Sequence, residues 1–281
     1  MKSLCNSIKS FLNYKLIIVI SSFFSVYKAY YLLDIKSNLL IYQISILVAT
    51  FFVYNQSSIL RLFINQNKLI MNKSIKLVVF VFSFIFFLSL AALLIKNYGI
   101  INFTFFTVLF SLAILYNFPI QINKYFTLLI RKIPYFKIFF IAFTWSFISS
   151  LIMFAQDFIS ILLFIQSFIF FIAITIPFDL RDREIDREHK LKTLAHLHNE
   201  SQLINSSKVL LVINLLISVY IISDTEKTFF LISEIFLFCY LIILISLYKK
   251  LNKRKFYFEM LDLSIFLYGF SFIMINYFYK I

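Results

Sequence analysis

Three carboxylates carry the most specific chemical pattern in this chain. Asp179, Asp182 and Asp186 stand at i, i+3 and i+7 in the stretch PFDLRDREIDREHKLKTL, residues 177–194. If the segment is helical, that spacing lines them along one face about one turn apart, as a cradle for a cation. Arg181, Arg183, Arg187, Lys190 and Lys192 are interleaved with them or follow them. Acids that can hold Mg2+ thus alternate with bases that can hold phosphate oxygens directly, and a diphosphate needs both. The competing reading is a solvated connecting helix laced with i,i+4 salt bridges, Asp179 to Arg183 and Asp186 to Lys190. It accounts for the mixture of charges. It does not account for the concentration of acids in this one stretch.

The elements that must position these groups are set by composition. A chain of 281 residues that is 62% hydrophobic and only 14% charged, with a mean hydropathy of +0.91, is too apolar for a soluble domain of its size and reads as a membrane protein. Apolar runs long enough to cross a bilayer core of about 30 Å are expected at Leu16–Leu33, Leu39–Leu60, Leu77–Ile95, Ile101–Ile122, Ile138–Ala155 and Phe158–Phe178. After the acidic stretch come Val209–Ser223, Phe229–Leu247 and Met260–Tyr279. The expected fold is therefore all-α, a polytopic bundle of about nine transmembrane helices forming a single domain over residues 1–281.

Charge placement orients that bundle. With the amino terminus in the cytoplasm, 22 of the 27 lysines and arginines fall in the amino-terminal segment and in the loops after the second, fourth, sixth and eighth spans. Short cytoplasmic loops carry such an excess, so residues 177–194 are expected to face the cytoplasm. The net charge of +14, which in a soluble protein would suggest nucleic acid, is explained by the bilayer and calls for no nucleic-acid partner. Cys5 and Cys239 share no metal or disulfide spacing. His189, His196 and His198 match no ligand motif and read as solvated loop residues.

The same residues carry a resemblance. PFDLRDREIDREHKLKTL resembles the second aspartate-rich motif of UbiA-type membrane prenyltransferases, an Asp-x-x-Asp-x-x-x-Asp pattern that follows a span and leads into a basic residue, Thr and Leu. Here those positions are Asp179, Asp182, Asp186, Lys192, Thr193 and Leu194. Upstream, LLIRKIPYFKIFFIAFTW resembles the start of the family's fifth span, with Pro134 as an early helix residue and Lys137 following. The resemblance implies Mg2+-dependent transfer of a prenyl group from a polyprenyl diphosphate to a small, aromatic acceptor, in a bacterial inner membrane with the site facing the cytoplasm. It implies Asp182 and Asp186 as catalytic, all three aspartates as metal ligands, and Asn55, Arg61, Arg181, Arg183, Lys190 and Lys192 as substrate-binding residues.

The chain departs from that family in its first motif. An Asn-Asp-x-x-Asp-x-x-x-Asp pattern is expected at the end of the second span, where the sequence reads FFVYNQSSILRLFINQN. Asn55 is kept, but Gln56, Ile59 and Phe63 stand where acids belong, and Arg61 adds a positive charge. Three explanations remain open: Arg61 and nearby lysines replace one metal, the substrate differs, or the chain is a catalytically degenerate member that binds or carries a lipid diphosphate or another small hydrophobic molecule. Asp262 and Glu234, ionisable groups within apolar runs, are site candidates by default, with a paired structural role as the alternative. Lys28 is expected to snorkel to the interface, and Trp145 to anchor there.

Overall fold

The computed structural model describes residues 16–35, 39–64, 95–96, 104, 107–108, 120–123, 126–128, 135–151, 157–188, 193–248 and 254–279. All of the expected third span but Ile95, and most of the fourth, lie outside the described residues. Eight helices are described: α1 Leu16–Leu32, α2 Leu40–Ile64, α3 Phe136–Ser149, α4 Phe158–Glu188, α5 Leu194–Leu197, α6 Glu200–Asp224, α7 Leu231–Ser246 and α8 Arg254–Tyr279. An antiparallel hairpin, β1 Ile120–Asn123 with β2 Phe126–Leu128, pairs Ile120 with Leu128 and is irregular between Gln121 and Asn123. The fourth span therefore does not run as helix to Ile122. Pro119, which biases the residue before it away from helical geometry, immediately precedes the strand.

Among the described residues, four segments are long and apolar enough to cross a membrane: Phe158–Leu180, Glu200–Asp224, Thr228–Ser246 and Met260–Tyr279. The chain is an integral membrane protein built from helices. α4 packs between α3 and α6; α6 continues to α7, α7 to α8, and α8 to α1, whose last turns return to α3. α1 and α8 approach closely because residue 269 is glycine. A Cβ there would stand 1.8 Å from the Phe24 carbonyl oxygen, a distance that no side chain could occupy without parting the two helices.

α4 is the element that positions the acidic stretch, and its local chemistry explains its length. Asp157 caps its start, accepting the Ser160 N–H at 2.8 Å. Pro177 lies inside the helix and removes the hydrogen bond that its nitrogen would have donated to Ala173. The freed Ala173 carbonyl accepts the buried Ser207 hydroxyl of α6 at 2.5 Å instead. A neighbouring serine thus repairs the break, as nonpolar surroundings require, and the helix continues without interruption to Glu188. α6 begins at Glu200, earlier than the expected Val209 and than Ile204, the alternative start for that short span. Gln202 in its first turn accepts the Asn199 N–H at 3.4 Å, as part of a capping box.

Candidate functional site

Because α4 is unbroken from Phe158 to Glu188, Asp179, Asp182 and Asp186 do share one helical face, spread over about 60° of arc and about 10 Å of rise. The end of the bundle that carries them also holds the starts of α3 and α6 and the end of α7. Tyr248, just past α7, feels both Glu200 and Arg183: burial pushes its phenol up, Glu200 adds to the rise, and Arg183 opposes it. Arg183 itself is exposed, as a residue offered to a ligand from solution would be.

Asp179 has a different setting from the one its motif position suggests. It is buried, and its Oδ1 lies 3.0 Å from the Lys137 ammonium of α3. The contact is ionic, without the alignment of a good hydrogen bond. Its Oδ2 accepts the Ala195 N–H at 2.9 Å, in the first turn of α5. Asp179 therefore joins three elements across the bundle, rather than forming the local pair with Arg183 that the solvated-helix reading required. Beneath it Ile138, Ile176, Leu180, Ala195 and Leu203 form an apolar cluster. Thr193, also buried, bonds His196 Nδ1 at 2.9 Å, and the Tyr135 hydroxyl meets His198 Nε2 at 3.3 Å. Of the three histidines, His198 is exposed as expected, His196 is half-buried, and His189 lies outside the described residues.

Several expected site residues are placed by backbone alone. Arg181, Asp182 and Asp186 stand on α4, and Asn55 and Arg61 on α2; their side chains are outside the description, as are Lys190 and Lys192 entirely. Among the described residues, no group of three or more His, Cys, Asp or Glu side chains forms a metal cluster. The donors still suit Mg2+ in kind, since that ion takes one or two carboxylates together with substrate phosphates. Both Asp179 oxygens are engaged by protein groups, Oδ1 by the Lys137 ammonium and Oδ2 by the Ala195 N–H.

The other lone ionisable groups resolve differently. Lys28 does not snorkel: its ammonium is buried, 2.7 Å from Glu234 Oε1 in the first turn of α7 and 3.4 Å from Ser218 Oγ. It also sits 5.0 Å from the centroid of the Tyr268 ring and 5.6 Å from that of Phe272, a cation–π setting. The Tyr268 hydroxyl lies 2.6 Å from Ser167 Oγ and 3.2 Å from Gln166 Oε1, and Asn214 donates to the Gln166 carbonyl at 2.8 Å. Glu234 is thus a paired core residue, as its structural alternative held. Trp145 is no interface anchor. It is buried and stacks on Phe171 at 5.5 Å. Asp262 is buried on α8 next in sequence to Leu261, against which Tyr240 packs, and the Tyr240 hydroxyl donates to the Met260 carbonyl at 2.7 Å.

An open cleft of about 820 Å³ lies at the opposite end of the bundle, lined by Tyr30, Tyr31, Asp34, Lys227 and Asn276. Its charges have a structural use. Lys227 donates to the last carbonyls of α1, Tyr31 at 2.6 Å and Leu32 at 3.2 Å, and pairs with Asp34 at 2.7 Å, which is a lysine cap on a helix C-terminus. The cleft lies away from the acidic motif.

Lys137 is the residue that sequence reasoning undervalued. It counted as one of the loop charges after the fourth span, and its only signal was its position at the head of an apolar run, three residues past Pro134. The family model described as the UbiA prenyltransferase family matches residues 68–270, well over half of the chain and including the whole acidic stretch and Asp262. Asn55 and Arg61 precede the matched segment. Neither the curated proteins nor the solved structures give a match. By the family match, which covers every described helix from α3 to the greater part of α8, the chain belongs to the UbiA prenyltransferase family.

Proposed function

We propose that the chain transfers a prenyl group from a polyprenyl diphosphate to a small, aromatic acceptor at the α5 end of α4. The observation that carries this reading is the uninterrupted passage of α4 through Pro177, which sets Asp182 and Asp186 on one face with Arg181 and Arg183 beside them, inside the segment that the family match covers. Asp182 and Asp186 hold Mg2+, and Arg181, Arg183, Lys190 and Lys192 take the diphosphate oxygens. Mg2+ when bound neutralises charge on the leaving group. The allylic C–O bond breaks with its electron pair leaving on diphosphate, a nucleophilic carbon of the acceptor forms the new bond, and that carbon then releases its proton to solvent. Aromatic faces can stabilise the allylic cation. The excess of lysine and arginine in the loops on this side supports a cytoplasmic opening in a bacterial inner membrane.

A second reading keeps a specific observation in its favour. Gln56, Ile59 and Phe63 stand where the family's first motif would have acids, which suits a degenerate member that binds a lipid diphosphate without turning it over. Purified protein in detergent, given labelled prenyl diphosphate, a panel of quinone precursors and Mg2+, separates the two. Transfer that falls by at least about a hundredfold in Asp182→Ala and Asp186→Ala, beyond what loss of a supporting residue costs, supports the transferase. Diphosphate binding without product, still sensitive to both substitutions, favours the binder.

A further inference from the structure

We infer that Lys137 and Asp179 are positioning residues that hold α5 against α4, and that Asp179 is not a metal ligand. The inference rests on the diphosphate reading above. α5 has four residues, too few to form a stable helix unaided. Its place is set from outside: Asp179 Oδ2 takes the Ala195 N–H at 2.9 Å while Oδ1 faces Lys137 at 3.0 Å. Counting along α4, Asp179 is about 14 Å back from Glu188, at 1.5 Å per residue. The chain thus leaves α4 at Glu188 and begins α5 beside Asp179, level with the start of the acidic face. Lys190 and Lys192 lie between those two fixed points in the sequence.

The burial of this pair argues for position over bulk stability. An ion pair this enclosed, with side-chain exposures of 10% for Lys137 and 1% for Asp179, is often no more stabilising than apolar residues of the same shape. The apolar cluster of Ile138, Ile176, Leu180, Ala195 and Leu203 already packs the same three elements together. What the ion pair adds is direction: a carboxylate fixed by one charge can meet one backbone N–H in one place. A metal would have to compete with the ammonium and the amide for the same two oxygens.

The test measures the affinity of the detergent-purified full chain for labelled farnesyl diphosphate across a Mg2+ titration, with melting temperature recorded for each variant. Lys137→Met and Asp179→Asn are each expected to weaken probe binding about tenfold, the scale of a supporting residue, with the Mg2+ midpoint unchanged. The double variant is expected to bind no worse than either single, because both act through one contact. Lys137→Arg is expected to recover most of the loss, and Lys137→Gln serves if the methionine variant fails to fold. A Mg2+ midpoint that shifts in Asp179→Asn but not in Lys137→Met would make Asp179 a ligand and overturn the inference. So would unchanged affinity with a lowered melting temperature, which would leave a purely structural role. Absence of probe binding by the unsubstituted chain, or binding untouched by Asp182→Asn, would sink the diphosphate reading and this inference with it.

Discussion

Among the described residues the bundle contains two buried lysine–carboxylate pairs, and they are built for different purposes. Lys28 and Glu234 lie among helices only, enclosed by Ser218, Tyr268 and Phe272, and the pair joins α1 to α7. Lys137 and Asp179 lie at the other end, and there the carboxylate's second oxygen is given to the backbone of a four-residue helix. The first pair can exchange information with nothing but the core. The second connects the core to the stretch whose residues would meet a diphosphate. Gln166, in the first network, is sixteen residues from Asp182 along α4, about 24 Å, so the two regions can be perturbed separately.

The largest expected effect breaks the first pair. Lys28→Met leaves Glu234 charged and unpaired in the core and should destabilise the protein by about 3–5 kcal/mol, with Glu234→Leu added to it restoring most of the loss. Denaturant titration in detergent reads both. If the single variant costs as little as a surface lysine would, the two pairs are not distinct in kind. A smaller effect sharpens the comparison from the motif side. Ser207→Ala removes the donor to the Ala173 carbonyl and should cost about 0.6–1.7 kcal/mol, the range of such bonds between membrane helices. The same substitution should cost almost nothing in a Pro177→Ala background, where a helical N–H is available again. Equal costs in both backgrounds would mean that Ser207 does not repair the proline break.

The sequence made the helical face legible and left its tertiary partners hidden. Spacing of Asp179, Asp182 and Asp186 needs only the helical period, and α4 supplies it. Apolar run length located α1, α2, α3, α4, α6, α7 and α8, because a bilayer fixes how long such runs must be. Lys28 and Glu234 could not be paired from sequence, since each is a single ionisable residue in an apolar run with no local pattern to name its partner. Trp145 was misplaced for a related reason: position near a span end is shared by interface anchors and by core aromatics, and only contact with Phe171 separates them. Asp179 was assigned by its motif position, whereas its contacts come from α3 and α5. Pro177 was visible and its repair was not, because Ser207 is one of many serines until α6 is laid against α4.

The central claim is that Asp182 and Asp186 hold a metal-bound diphosphate at this end of α4, and calorimetric titration of the detergent-purified chain with a prenyl diphosphate tests it most directly. The account predicts saturable binding that requires Mg2+, is lost on adding EDTA, and is lost in Asp182→Asn while Lys28→Met/Glu234→Leu retains it. Binding that is indifferent to Mg2+ and to Asp182→Asn, or none at all in the folded wild-type chain, would contradict it.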